Sequence, residues 1–164
     1  MAPTSAHEKP KNVIHTLITA LRDELDTDVE SLGSTKLRAE MKAKGAEPDD
    51  CFYIQNAARV IGKTDLDLEH DPPPDLVIEI DRTSASLNKF PIYAGLGVPE
   101  IWRVSKGQVR IFLLAGDGYE EHAASGAFKF LPAQIISAFL ARGLAEGERK
   151  AAIAFRPWVR EHKS

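Results

Sequence analysis

Apolar residues recur at helical spacing early in the chain. Ile14, Leu17, Ile18, Leu21 and Leu25 fall on one stripe, with Arg22, Asp23 and Glu24 between them. The spacing predicts an amphipathic helix over 12–26. The pattern then changes to alternation over 35–44, where Leu37, Ala39 and Met41 are set against Lys36, Arg38, Glu40 and Lys42. Alternation of this kind predicts a half-exposed strand, closed by a turn at Gly45. The aromatic and β-branched run over 50–54 predicts the next strand. Residues 56–63 fit either a short helix or a loop.

Asp71-Pro72-Pro73-Pro74 cannot be helical and leads into Leu76-Val77-Ile78, with Ile80 beyond. A nearly continuous apolar run predicts a central strand buried on both faces. Thr83 or Ser84 is placed to cap a helix running to about Leu96, with Pro91 tolerable only in its first turn and Gly95 and Gly97 ending it. Two strands are expected over 101–104 and 109–114 around a Lys106-Gly107 turn. A third follows over 119–123, after Gly116-Asp117-Gly118. Pro132 opens a helix that carries Ile135, Ile136, Phe139 and Leu140, and a last helix is expected from about Glu146 to Trp158. Residues 1–10 read as a flexible N-terminus, 161–164 as a loose end, and 11–160 as a single domain.

Composition changes this picture little. The chain has 164 residues, enough for one hydrophobic core, and 43% of them are hydrophobic. Its lone cysteine, Cys51, excludes an intramolecular disulfide. The thiol reads as a strand residue before it reads as a nucleophile. No apolar run approaches a membrane span and no leader-like segment opens the chain, so a cytoplasmic location is expected.

Charge changes it more. The formal net charge is −3, against the basic excess usual in nucleic-acid binders. The distribution is uneven, however. Asp65, Asp67, Glu69, Asp71, Asp75, Glu79 and Asp81 occur with no Lys or Arg among them, while basic residues gather later, from Arg103 onward. An acidic centre with separate basic regions suits a metal site that handles a polyanion, and equally an ordinary solvated surface.

Glu79 is the most conspicuous carboxylate, because it interrupts a run that otherwise calls for burial on both faces. An ionised carboxylate there is costly unless paired or bound to a metal. Asp75 shares its strand face but lies about 13 Å away, so the two cannot both ligate one ion directly. Asp81, about 7 Å from Glu79 on that face, could act through water. A closer partner must come from a neighbouring strand, with Asp49 the first candidate and Asp50 its competitor. Lys89, at the start of the following helix, has the reach to return over the strand end. Two carboxylates, water and a nearby lysine are what a hard cation such as Mg²⁺ needs to hydrolyse a phosphodiester. The five histidines show no zinc spacing, and no P-loop, GxGxxG or GxSxG is present.

Three blocks carry a family likeness. They are Gly45-Ala-Glu-Pro-Asp-Asp-Cys-Phe-Tyr-Ile54, Pro74-Asp-Leu-Val-Ile-Glu-Ile-Asp81 and Lys89-Phe-Pro-Ile-Tyr-Ala-Gly-Leu-Gly-Val-Pro-Glu-Ile-Trp102. With Phe155-Arg-Pro-Trp-Val159 they resemble the Uma family of bacterial restriction-endonuclease-like proteins, over nearly the whole chain. The resemblance implies an α/β fold of the PD-(D/E)xK nuclease type, a mixed central sheet flanked by helices. It assigns Asp49 and Asp75 to the acidic positions and Glu79 to the glutamate. The superfamily's lysine usually follows that glutamate by two residues, where this chain has Asp81. The resemblance implies that the lysine has moved to the next helix, which points to Lys89.

Together these readings imply an endonuclease using Mg²⁺ or Mn²⁺ on nucleic acid, expected to be DNA. Asp49 and Glu79 would hold the metal, Asp75 would assist through water, and Lys89 would position the attacking water. A homodimer is expected, since two sites cut a duplex most simply. The competing reading is a non-catalytic nucleic-acid or protein interaction module that retains the fold.

Overall fold

The computed structural model describes residues 5–31, 35–83 and 85–164. The chain opens with α1 (Ser5–Leu25), β1 (Glu30–Ser31), α2 (Thr35–Ala43), β2 (Asp50–Tyr53) and α3 (Ala57–Val60). It continues through β3 (Leu76–Ile80), a 3₁₀ turn (Ala85–Lys89), α4 (Phe90–Leu96), β4 (Glu100–Ser105), β5 (Gln108–Ala115) and β6 (Gly118–His122). It closes with α5 (Ala133–Glu146) and α6 (Glu148–His162).

The strands form one sheet in the order β1-β2-β3-β4-β5-β6. Every neighbouring pair is antiparallel except β3 and β4, which the 3₁₀ turn and α4 connect as a parallel pair. Mixed pairing is therefore confined to the one crossover, as the geometry of parallel connections requires. Alternation along the strands feeds two apolar layers. Phe52, Leu76, Ile78, Trp102, Val104 and Ile111 pack with α1, α5 and α6 on one face. Cys51, Tyr53, Val77 and Ile101 pack with Leu37, Met41, Val60 and Tyr93 of α2, α3 and α4 on the other. The fold is the expected mixed sheet flanked by helices. β3 lies between β2 and β4, and Leu76 to Glu79 are all buried.

Several local expectations change. Residues 35–44 are not a strand: Thr35–Ala43 is helical. Leu37 and Met41 are one helical turn apart and both fully buried, while Ala39, which the alternation placed with them, is exposed. Lys, Arg, Glu, Met, Leu and Ala are also the strong helix formers. α1 begins at Ser5 rather than near 12. Pro10 lies inside it, which removes one helical hydrogen bond and hides the helix start from a reading by propensity. α6 likewise runs to His162, through Pro157. The helix expected after β3 divides into the 3₁₀ turn and α4, with Pro91 in the first turn of α4 and Gly97 at φ 79° as its left-handed cap. Thr83 Oγ1 accepts from the Ala85 N–H (3.1 Å); Ser84, the alternative cap, lies outside the described residues. No helix among the described residues is long and apolar enough to cross a membrane.

A second buried carboxylate anchors the far side of the sheet. Glu100 accepts from Trp102 Nε1 (2.6 Å), Ser125 Oγ (2.7 Å) and the N–H groups of Gly126 (3.1 Å) and Ala127 (2.8 Å). Four donors satisfy the charge, so this glutamate pins the loop before α5 to β4.

Candidate active site

Glu79 is 1% exposed near the C-terminal end of β3. Its parity along the strand is that of Val77, so it faces the layer of α2 and α4. Tyr93 of α4 donates its buried hydroxyl to Glu79 Oε1. Lys89, at the junction of the 3₁₀ turn and α4, sets its ammonium 3.1 Å from Oε2 and 3.4 Å from Oε1, and also donates to the Glu47 carbonyl (3.1 Å). Burial, only partly offset by the Tyr93 hydroxyl and the Lys89 charge and reinforced by the charge of Asp49, raises the Glu79 carboxyl to about 7. Burial and the neighbouring Glu79 charge push the Tyr93 phenol far above its ordinary range, so it stays a donor.

Asp49 reaches the same place from the adjacent strand. In the antiparallel β2–β3 register Asp50 is opposite Ile78 and Cys51 opposite Val77. One further step sets Asp49 opposite Glu79, and directly opposed residues share a face. Asp49 Oδ2 accepts from the Ile80 N–H (2.7 Å), which ties it to the end of β3. Its other oxygen, Oδ1, is 3.0 Å from His7 Nε2 of α1. Asp50 turns to the opposite face and pairs with His15 Nδ1 at 2.8 Å. Strand parity thus puts Asp49, and not Asp50, on the face of Glu79.

A model of the family described as "Uma2: Putative restriction endonuclease" matches residues 1–145. The chain belongs to this family. No match was found among curated proteins. The Uma2 match takes in every strand of the sheet and the residues around Glu79; α6, with its Phe155-Arg-Pro-Trp-Val159 segment, lies beyond it.

Within this Uma2 domain Asp49, Glu79 and Lys89 meet at one end of the sheet. Asp75 does not join them. It precedes β3 at the other end, 2% exposed, and accepts from the N–H groups of Ile54 (2.7 Å) and Asn56 (2.9 Å) and from Asn56 Nδ2 (2.7 Å). Asp81, at the superfamily's usual lysine position, accepts from Ser86 Oγ and N–H and from Arg103 Nε at 3.1 Å. Burial works against its charge, but these donors together hold its carboxyl below the usual range. It shapes the turn after β3, and that turn returns Lys89 to Glu79.

Two residues of this group escaped the sequence reading. Tyr93 was visible only as part of a family block. His7 was assigned to a flexible end, although counting back seven residues from Ile14 along the α1 stripe lands on it. Cys51 is fully buried with its thiol pushed up to about 12, which removes the nucleophile reading. Among the described residues, one group places three His, Asp or Glu donor atoms within 4.8 Å of one another: Asp67, Glu69 and His70. It is largely exposed, and Asp67 is already engaged by His70, Lys36 and the Glu69 N–H.

Proposed function

We propose that this protein is a divalent-metal-dependent endonuclease that hydrolyses phosphodiester bonds in DNA, with Asp49, Glu79 and Lys89 as its working residues. The observation that carries this reading is the ion pair of Lys89 with a buried Glu79 whose cross-strand neighbour is Asp49. Membership of a family described as restriction endonucleases supports the reaction class and the DNA substrate.

The donor set fits a hard divalent ion. It offers two carboxylates from adjacent strands, one of them buried and held near neutral pH by lack of solvation. Asp49 and Glu79 would hold Mg²⁺ or Mn²⁺, which when bound supplies charge against the phosphate and acidifies a bound water. The remaining roles belong to the chain. Tyr93 fixes one oxygen of Glu79, and the Ile80 N–H fixes one oxygen of Asp49. Lys89 is an ammonium on a mobile stem, already at the carboxylate. It can donate to the attacking water or to a phosphate oxygen once Glu79 is engaged elsewhere. The shift of the lysine from the strand to the helix therefore keeps its charge at the glutamate.

A nicking assay on supercoiled plasmid with Mg²⁺ or Mn²⁺ tests the reading. Wild type should cut, and Glu79→Gln should not. Lys89→Ala should lose about two to four orders of magnitude in rate while keeping its fold. Lys89→Arg should not restore it, because the guanidinium is bulkier and cannot become a neutral base. A Lys89→Ala protein that cuts as fast as wild type removes the lysine from the mechanism. Wild type that never cuts, across metals and substrates, makes the interaction module the better reading.

A further inference from the structure

The N-terminal turns of α1 bring one more donor to the carboxylates. His7 Nε2 lies 3.0 Å from Asp49 Oδ1, on the oxygen that the Ile80 N–H leaves free. The other ring nitrogen, Nδ1, is buried and makes no hydrogen bond. The Glu8 carboxylate is its nearest charged neighbour, at 3.6 Å. A histidine placed only to support the fold normally satisfies both nitrogens, since a buried polar atom without a partner is costly. The ring's one contact at hydrogen-bond length is with Asp49.

We propose that His7 is a third ligand of the metal site, joining Asp49 and Glu79 through Nε2, and that it tunes the site toward transition metals. The inference rests on the metal-site reading above and extends it. Two donors bound at right angles to one ion, each at about 2.1 Å, are about 3.0 Å apart. The His7–Asp49 separation therefore already suits neighbouring positions around an ion. Glu79 is the part that must move. It does not close a compact group with the other two here, because Lys89 and Tyr93 hold it. Release of Glu79 by Lys89 would complete the set and free the ammonium for substrate. Carboxylates and water suit Mg²⁺, whereas imidazole adds affinity for first-row transition ions. A two-carboxylate, one-imidazole set should consequently favour Mn²⁺ over Mg²⁺.

Mn²⁺ is also the probe. Electron spin-echo envelope modulation of the full chain loaded with one Mn²⁺ should show ¹⁴N coupling from a bound imidazole. The coupling should vanish in His7→Ala and His7→Gln and persist in His15→Ala. His7→Gln separates ligation from positioning, since an amide can still donate to Asp49 but puts no nitrogen on the ion. By calorimetry, both His7 variants should lose about tenfold or more in Mn²⁺ affinity, with a smaller loss for Mg²⁺. If wild type binds Mn²⁺ in a Glu79-dependent way without ¹⁴N coupling, or if His7→Gln restores full Mn²⁺ affinity, His7 is not a ligand and the two-carboxylate site stands. If wild type binds no Mn²⁺, the metal-site reading and this inference fall together.

Discussion

Asp49 and Asp75 each follow a proline and each precede a buried strand, yet they face different chemistry. Asp75 meets two backbone N–H groups and an amide, all within 2.9 Å. Asp49 meets one backbone N–H and one imidazole. The donors to Asp75 all come from the loop after β2 and occupy both of its oxygens, whereas Asp49 lies across the strand pair from a second carboxylate, Glu79. Asp75→Asn should therefore destabilise the fold by about 1–3 kcal/mol, because its amide turns a donor toward donors. Mn²⁺ affinity in the folded fraction should barely change, whereas Asp49→Asn should lose Mn²⁺ binding with little loss of stability. Urea denaturation and calorimetry on the two variants check this, and the reverse pattern would exchange their roles. At this scale Glu79 was legible from sequence because a charge inside Leu76–Ile80 has no cheap explanation. Choosing between Asp49 and Asp50 needed the register, which sequence does not contain. His7 was hidden because Pro10 marks a break by propensity, and only packing shows that the helix passes through it.

Elements carry the next level of constraint. β2 to β6 were readable because apolar and aromatic runs are separated by turn residues, and α1 and α5 because their stripes are long; the two-residue β1, Glu30–Ser31, carries no such pattern and was missed. α2 was not readable, since a nine-residue segment with apolar residues at alternate positions fits both periods until burial of Leu37 and Met41, and exposure of Ala39, selects the helix. Helix packing behind the sheet rests on a similarly local detail. A Cβ on Gly143 of α5 would lie 2.5 Å and 2.9 Å from the two methyls of Val13, so α1 and α5 meet through a glycine. Alanine gains about 1 kcal/mol over glycine in helix propensity. Overpacking of a buried valine costs about 1–3 kcal/mol and should win. Gly143→Ala should thus lower the urea midpoint. Adding Val13→Ala should recover part of the loss; strictly additive losses would show that the two helices do not meet there. Because α1 also carries His7, Gly143→Ala should weaken Mn²⁺ binding if the helix is pushed away from the sheet.

For the whole molecule, Glu79 couples the candidate site to folding. Its carboxyl titrates near 7 in the folded protein, against an ordinary value of 4.5. The folded state therefore holds a proton that the unfolded chain releases between these values. The stability linked to this proton is complete below about pH 4.5, falls as pH rises toward 7, and is lost above it. The shift corresponds to roughly 3–4 kcal/mol at most. His15, whose pairing with Asp50 raises its own pKa, also loses stability as pH rises, so total stability alone cannot isolate Glu79. The difference between wild type and Glu79→Gln can, because His15 is common to both. Urea denaturation should show that difference shifting in favour of Glu79→Gln between about pH 5 and pH 8. A divalent ion should reverse it. An ion bound by the ionised carboxylate stabilises only the folded state, and at low pH it must first displace the proton. Saturating Mn²⁺ should raise the stability of wild type more at pH 8 than at pH 5 and leave Glu79→Gln almost unchanged. A wild type and a Glu79→Gln protein with parallel pH profiles would mean that Lys89 and Tyr93 fully compensate the buried charge. Glu79 would then be a salt-bridged structural residue, with no reason of its own to bind a metal.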